Sequence, residues 1–279
     1  MSSSNERVKL GINDFLKEAL FIVEEANKKN IHLRILGALA VYLHIRDNPT
    51  ALGLLSKLGR VDKDTLFTDL DLMGYSKQRK DVSKFFEQIG YFPDRMINTL
   101  FGNKRMIFYH PKGDFHVDVF FDKLEFSHDV IFGNDPSNGR LSLDYPTISL
   151  TDLVLEKIQI NKINRKDLVD LLLIFASHDL VTKDTQNHEE INAEYIASIL
   201  SDDWGFWYDA VNNLNKLKNF ANNLGEIQNE YSAYIQKANE NIDKLLKIIE
   251  EKPKSKNWIK RSKDGVNKPW YREVEEVVR

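Results

Sequence analysis

Two carboxylates alternate with apolar residues in Thr68-Asp69-Leu70-Asp71-Leu72, and a third lies in a second alternating stretch, His116-Val117-Asp118-Val119-Phe120. A strand changes face at every residue. Asp69 and Asp71 therefore point one way and Leu70 and Leu72 the other, with the two acid-bearing Cα atoms roughly 6–7 Å apart. In the second stretch Phe115, Val117, Val119 and Phe121 share one face, and His116, Asp118 and Phe120 share the other. Carboxylates presented from rigid strands suit a hard divalent cation such as Mg²⁺, which takes oxygen ligands and completes its shell with water or substrate phosphate. Acids at this spacing can bracket metals about 3.5–4 Å apart, the separation used in two-metal phosphoryl transfer. Asp62-Lys63-Asp64 has the same acid spacing but no apolar frame, and reads as a solvated segment. His116 with Asp118 admits another reading, a histidine–carboxylate pair for a transition metal. The other histidines show no ligand spacing, which leaves His116 as a residue flanking the acids.

Two further places have residue types suited to phosphate. In Leu33-Arg34-Ile35-Leu36-Gly37-Ala38-Leu39-Ala40 a short strand ends at a glycine and opens into a helix. Such a turn presents backbone N–H groups to an anion, and the same glycine equally serves a tight strand–helix turn that needs its conformational freedom. Lys157 lies on a helix over 151–160, and a cation beside a triphosphate stabilises developing charge; the alternative is a lysine in water. Asp167 opens the next helix, where an acid also complements the helix dipole. Asp170 stands inside Leu168-Val169-Asp170-Leu171-Leu172, an apolar run in which a carboxylate needs a partner.

The elements that must position these residues divide in character. Helical spacing of Phe15, Ala19, Ile22, Val23 and Ala26 predicts a helix over 12–29. Strands are expected at 31–36, 67–74, 105–110 and 115–121, with Pro111-Lys112-Gly113-Asp114 as a turn, and helices at 38–45 and 78–89. Residues 47–66 show no clear pattern. Beyond Pro146 the reading is helical: 151–160, 166–177, 191–200, 204–220 and a long amphipathic helix over 224–249. Its heptad stripe suits an intramolecular hairpin with residues 205–220, or a dimeric coiled coil. The expectation is an α+β chain, with residues 1–150 as a domain on a small mixed sheet and residues 151–279 as a helical region ending in a basic, aromatic tail.

That tail interleaves Lys252, Lys254, Lys256, Lys260, Arg261, Lys263, Lys268 and Arg272 with Trp258, Trp270 and Tyr271. Aromatic platforms with cations are what single-stranded nucleic acid uses; the alternative is a terminal hairpin whose tryptophans pack while its lysines stay wet. The net charge of −3 argues neither for nor against nucleic acid. The absence of cysteine excludes disulfides and thiolate metal sites. No apolar run approaches the roughly 20 residues of a membrane span, and the first residues lack a signal-peptide core, so a cytoplasmic protein is expected.

In combination, the glycine turn, Thr68-Asp69-Leu70-Asp71-Leu72 and the apolar–Asp118–apolar strand resemble the nucleotidyltransferase superfamily related to DNA polymerase beta. The later order, Leu153-Val154-Leu155-Glu156-Lys157 followed by Arg165-Lys166-Asp167-Leu168-Val169-Asp170, is similar to the AbiEii-like branch, found as toxins of toxin–antitoxin pairs and as stand-alone proteins. The resemblance covers roughly residues 30 to 180. It implies that Gly37 and Ala38 cradle a nucleoside triphosphate and that Asp69 and Asp71 hold Mg²⁺ (or Mn²⁺) on it. Asp118 would complete a second metal site and help activate the acceptor hydroxyl, Lys157 would neutralise phosphate charge, and Asp167 or Asp170 would position Lys157 or the acceptor. The implied activity is transfer of a nucleoside monophosphate to a hydroxyl, on an RNA end, a small molecule or a protein side chain, with a cognate antitoxin as partner in the toxin case. A catalytically silent relative that binds a nucleotide or a partner protein is the rival reading. The chain departs from the family at the phosphate turn, where Gly37-Ala38 replaces Gly-Gly or Gly-Ser. The interval before Asp69 is also longer, with Lys57, Arg60 and Lys63 placed to reach substrate or to keep a loop in water.

Overall fold

The computed structural model describes residues 10–60, 69–113, 115–183 and 187–273. Phe67 and Thr68 of the expected strand, Asp62-Lys63-Asp64 and Asp114 of the expected turn lie outside the described residues.

In chain order the elements are α1 (Ile12–Lys28), β1 (Arg34–Ile35), α2 (Gly37–Ile45), α3 (Pro49–Lys57), β2 (Leu70–Gly74), α4 (Arg79–Gln88), β3 (Phe92–Pro93), α5 (Arg95–Phe101), β4 (Arg105–Tyr109), β5 (His116–Phe121), β6 (Lys123–Glu125) and β7 (Asp129–Ile131). There follow α6 (Leu150–Ile158), α7 (Arg165–Ser177), β8 (Asp179–Val181), β9 (Glu190–Asn192), α8 (Ala193–Leu200), α9 (Trp204–Asn222), α10 (Glu226–Glu230), α11 (Ser232–Glu251) and α12 (Lys256–Ser262). This is an α+β chain, as its patterning predicts. Among the described residues no helix is long and apolar enough to cross a membrane.

Two compact units emerge, interleaved in sequence: Met1–Ala40, Val61–Lys123 and Ile131–Ile148 form one, and Val41–Arg60, Leu124–Val130 and Ser149–Arg279 the other. Residues 41–60 and 124–130, on the N-terminal side of position 150, thus belong with the helical unit.

The first unit is built on a five-stranded mixed sheet of order β1-β2-β5-β4-β3. Strands β2 and β5 run parallel and the other pairs antiparallel. Parallel neighbours need a crossover, here supplied by α4, β3, α5 and β4. One face is the core: Leu70, Leu72, Val117 and Val119 are wholly buried, and Phe108 stacks on Phe86 of α4 with centroids 4.2 Å apart.

The second unit is helical. In α11, Ile235, Ala238, Ile242, Leu245 and Ile249 are buried at alternating three- and four-residue intervals, and the helix packs on α7, α8 and α9. Each of the larger side chains so buried contributes about 1.5–3 kcal/mol. The long helix starts at Ser232 and not at 224, because Gly225 takes a positive φ of 62° that ordinary residues avoid and α10 forms a separate turn. Residues 47–66, unpatterned in sequence, contain α3, started by Asn48 accepting a hydrogen bond from the Ala51 N–H at 3.1 Å and by Pro49 at its first position.

Candidate functional site

The register of the sheet places the first three acids. Asp71 lies directly opposite Asp118 on the parallel pair β2–β5, so their Cα atoms are one strand spacing, about 4.8 Å, apart. Asp69 precedes β2 by one residue and shares the Asp71 face. Asp69 is open, its side chain 43% exposed, while Asp118 is 4% exposed.

Two cations hold Asp118 and Asp69. Arg105 grips Asp118 with both ends of its guanidinium fork, Nε to Oδ1 at 3.1 Å and Nη2 to Oδ2 at 2.6 Å. His116 bridges the other way, Nδ1 lying 2.9 Å from Asp69 Oδ1 and Nε2 lying 3.3 Å from Asp118 Oδ2. Burial disfavours charge on His116, but its hydrogen bonds to Asp118 and Asp69 outweigh burial and bring its pKa up to about 9. Burial would likewise raise Asp118, yet His116 and Arg105 hold it below the usual carboxylate range. At neutral pH this cluster is, among the described residues, three carboxylates against two cations. Among the described residues no group of three or more His, Asp or Glu side chains is arranged to hold a metal ion.

The glycine turn is tied to the same strands. Gly37 has φ +72°, a left-handed conformation for which glycine is suited. The Leu36 N–H donates to the Asp71 carbonyl at 3.1 Å, a main-chain bond that ties the turn to the acid-bearing strand. Ala38 follows in the first turn of α2.

Lys157, Asp167 and Asp170 belong to the second unit, and there they meet. Lys157 Nζ lies 3.1 Å from Asp167, 3.4 Å from Asp170 and 3.7 Å from Glu156. The lysine is 6% exposed and Asp170 2%, so Lys157 is not a solvated surface lysine. Burial opposes its charge, but the fields of Asp170, Glu156 and Asp167 prevail and raise its pKa above the usual lysine range. Arg60 completes the group, with Nε 2.9 Å and Nη2 3.2 Å from the two Asp170 oxygens. Neither role expected for Arg60, substrate contact or loop solubility, describes it as it stands: its side chain is 10% exposed and committed to Asp170. Lys57 pairs with Glu230 at 3.3 Å, and Lys63 lies outside the described residues.

The aromatic tail packs on its own unit. Trp258 meets Trp207 edge-on at 5.1 Å, Trp270 meets Tyr208 at 5.4 Å, and Arg261 lies over the Trp204 ring at 4.9 Å. Trp270 also donates its indole N–H to Asp209 at 3.1 Å, and Asp209 in turn lies 2.8 Å from His128 Nε2. No local motif links His128 to Asp209 or Arg60 to Asp170; each pair is joined only by the fold.

Neither a scan against protein families nor a search of curated proteins returns a match. Among solved structures, the chain is similar to the antibiotic-resistance factor ANT(2'')-Ia in its solution structure, at 16% identity and a TM-score of 0.32, over 58% of this chain and 81% of that one. A likeness that loose carries no inference about this chain, whose chemistry rests on its own residues.

Proposed function

We propose that this protein transfers a nucleoside monophosphate from a nucleoside triphosphate to a hydroxyl acceptor, an RNA end being the acceptor favoured here, as a toxin-like or stand-alone member of the AbiEii-like nucleotidyltransferases. The observation that carries this reading is the in-register pair Asp71–Asp118, with Asp69 on the same face and the Gly37 turn hydrogen-bonded to the Asp71 carbonyl.

The donor set fits a hard cation shared with a substrate better than a cage made by protein alone: all three proposed ligands, Asp69, Asp71 and Asp118, offer carboxylate oxygen, and Asp69 is open to solvent. Bound there, Mg²⁺ or Mn²⁺ would neutralise phosphate charge and align the attacking and leaving oxygens. The protein's own part is preorganisation. The sheet holds Asp71 and Asp118 at fixed spacing, and Arg105 keeps Asp118 in one orientation. The turn at Gly37 and Ala38 aims the start of α2 at the triphosphate. A carboxylate held below its usual pKa is a poor proton acceptor, so Asp118 serves as fixed charge and ligand before it serves as base. In the second unit, Asp167 and Asp170 hold the Lys157 ammonium in place, the positioning role that the resemblance implies for them. A cognate antitoxin remains the expected partner in the toxin case.

One observation favours the rival, a catalytically silent nucleotide- or protein-binding module: Asp118 already has its oxygens engaged by Arg105 and His116. Incubation with labelled nucleoside triphosphates, Mg²⁺ or Mn²⁺ and total RNA separates the two. The transferase reading expects label transfer by the natural protein and background with Asp69→Ala or Asp71→Ala; equal label from all three, or from none, sinks it.

A further inference from the structure

The sheet face that carries the acids continues past them. Cα partners across antiparallel strands place their side chains on the same face, and β3, β4 and β5 align Phe92 with Tyr109 and Tyr109 with His116. With the parallel register, Asp69 falls at the end of this row. One line across four strands therefore reads carboxylate, imidazole, phenol, phenyl. The neighbouring row places Asp71, Asp118 and Ile107 in line behind it.

The aromatic end of this row is open. Phe92 is 61% exposed on the edge strand. Tyr109 is half-buried, its ring centroid 6.2 Å from that of His116, and its hydroxyl donates to Asp94 at 2.8 Å, fixing the ring. An exposed phenyl beside an anchored phenol on a flat sheet is a stacking platform, and stacking on sheet aromatics is how single-stranded bases are held. The ring row lies one and two strand spacings, about 5 and 10 Å, from the Asp118 strand. A nucleotide offering its hydroxyl beside Asp118 would lay its base in that direction. Arg95, just after β3, and Lys112, in the turn after β4, are exposed and suit the phosphates that follow such a nucleotide.

We propose that Phe92 and Tyr109 form the stacking platform for the terminal base of a single-stranded RNA acceptor. The inference rests on the nucleotidyl-transfer reading for its choice of acceptor, while the binding it expects is independent of catalysis.

The test is anisotropy of a 5′-fluorescein octaribonucleotide in EDTA without nucleotide, using the full chain. Phe92→Ala, at an exposed position, should raise Kd at least about fivefold, within the range seen when one stacking aromatic is truncated. Phe92→Trp should restore Kd to within about twofold, since indole stacks at least as well as phenyl. An octamer with an abasic 3′ terminus should bind the natural protein as weakly as the intact octamer binds Phe92→Ala, with no further loss when the two changes are combined. No RNA binding by the natural protein, or equal binding by all three proteins, overturns the platform. So does a Phe92→Ala effect confined to self-association on gel filtration, which would make the face a protein contact. If the binding differences hold but no triphosphate yields label transfer, the transferase reading fails alone. If transfer persists and Phe92→Ala leaves the KM for RNA unchanged, the platform fails alone.

Discussion

Two ionic groups of the same formal balance sit in the two units of this protein. On the sheet, Asp69, Asp71 and Asp118 face His116 and Arg105; among the helices, Glu156, Asp167 and Asp170 face Lys157 and Arg60. Among the described residues each has three carboxylates against two cations, and the difference is solvent. The sheet group keeps Asp69 about half in water and ends in an open aromatic row. The helical group buries Glu156, Lys157, Asp167 and Asp170 and leaves the Arg60 side chain only 10% exposed. An open group can exchange a protein cation for a ligand. A buried one cannot lose a member without leaving charge uncompensated in a medium of low dielectric. The sheet group is therefore where binding chemistry is expected, and the helical group is where stability is held.

The sharpest way to break this contrast is to remove the buried cation. Lys157→Met should destabilise the protein by about 3–5 kcal/mol, because the buried Asp167 and Asp170 carboxylates then lose the ammonium between them. Urea denaturation of the full chain should show a lower midpoint at unchanged slope. A loss below about 1 kcal/mol, the scale of an exposed pair, would mean that the group is wetter and more ligand-like than its burial suggests. Arg60→Met should follow at about 1.5–3 kcal/mol, since Asp170 loses a charge-assisted fork but keeps Lys157.

How much of this was legible in sequence follows from how far each signal reaches. The faces of β2 and β5 were readable because alternation is local: Leu70, Leu72, Val117 and Val119 are the buried set the pattern predicts. The α11 stripe was readable for the same reason, though its start was displaced, since a heptad count does not register the break at Gly225. Strand β3 and helix α5 were not anticipated. A two-residue strand has no period, and α5 buries none of its residues, leaving Met96, Leu100 and Phe101 outside. That Asp69 shares a face with Asp71, and Asp118 with His116, is legible because alternation is local, while the Arg105 fork on Asp118 is not, as it depends on strand pairing. Arg60 stands as a basic residue in an unpatterned interval, but its partner lies 110 residues away and no spacing rule connects them.

A pH series sharpens the sheet side. His116 has its pKa raised to about 9 in the folded chain, against about 6.5 unfolded. A group with a raised folded pKa binds more protons folded than unfolded, so its contribution is fully present below about 6.5 and is lost as pH rises through about 9. The urea midpoint should therefore fall between pH 7 and 9.5 in the natural protein, and His116→Asn should flatten that part of the profile. Lys157, raised above the usual lysine range, should add no slope in the same window.

The smallest expected effect on stability belongs to the residue with the largest expected effect on binding. Asp69 is 43% exposed at its side chain, and His116 Nδ1 lies 2.9 Å from it. Asp69→Asn keeps the size and a hydrogen-bonding oxygen and removes one charge in contact with water, where ion pairs contribute about 0–1 kcal/mol. Its urea midpoint should be almost unmoved. A hard divalent cation, by contrast, distinguishes a carboxylate from an amide strongly, because it takes its affinity from ligand charge. Mn²⁺ binding in the presence of a nucleoside triphosphate, followed by paramagnetic broadening of the nucleotide's phosphorus signals with the free-nucleotide contribution subtracted, should be weakened in this variant. If Asp69→Asn unfolds the chain as readily as Lys157→Met, or leaves the protein-dependent broadening intact, solvent exposure is not what separates the two ionic groups.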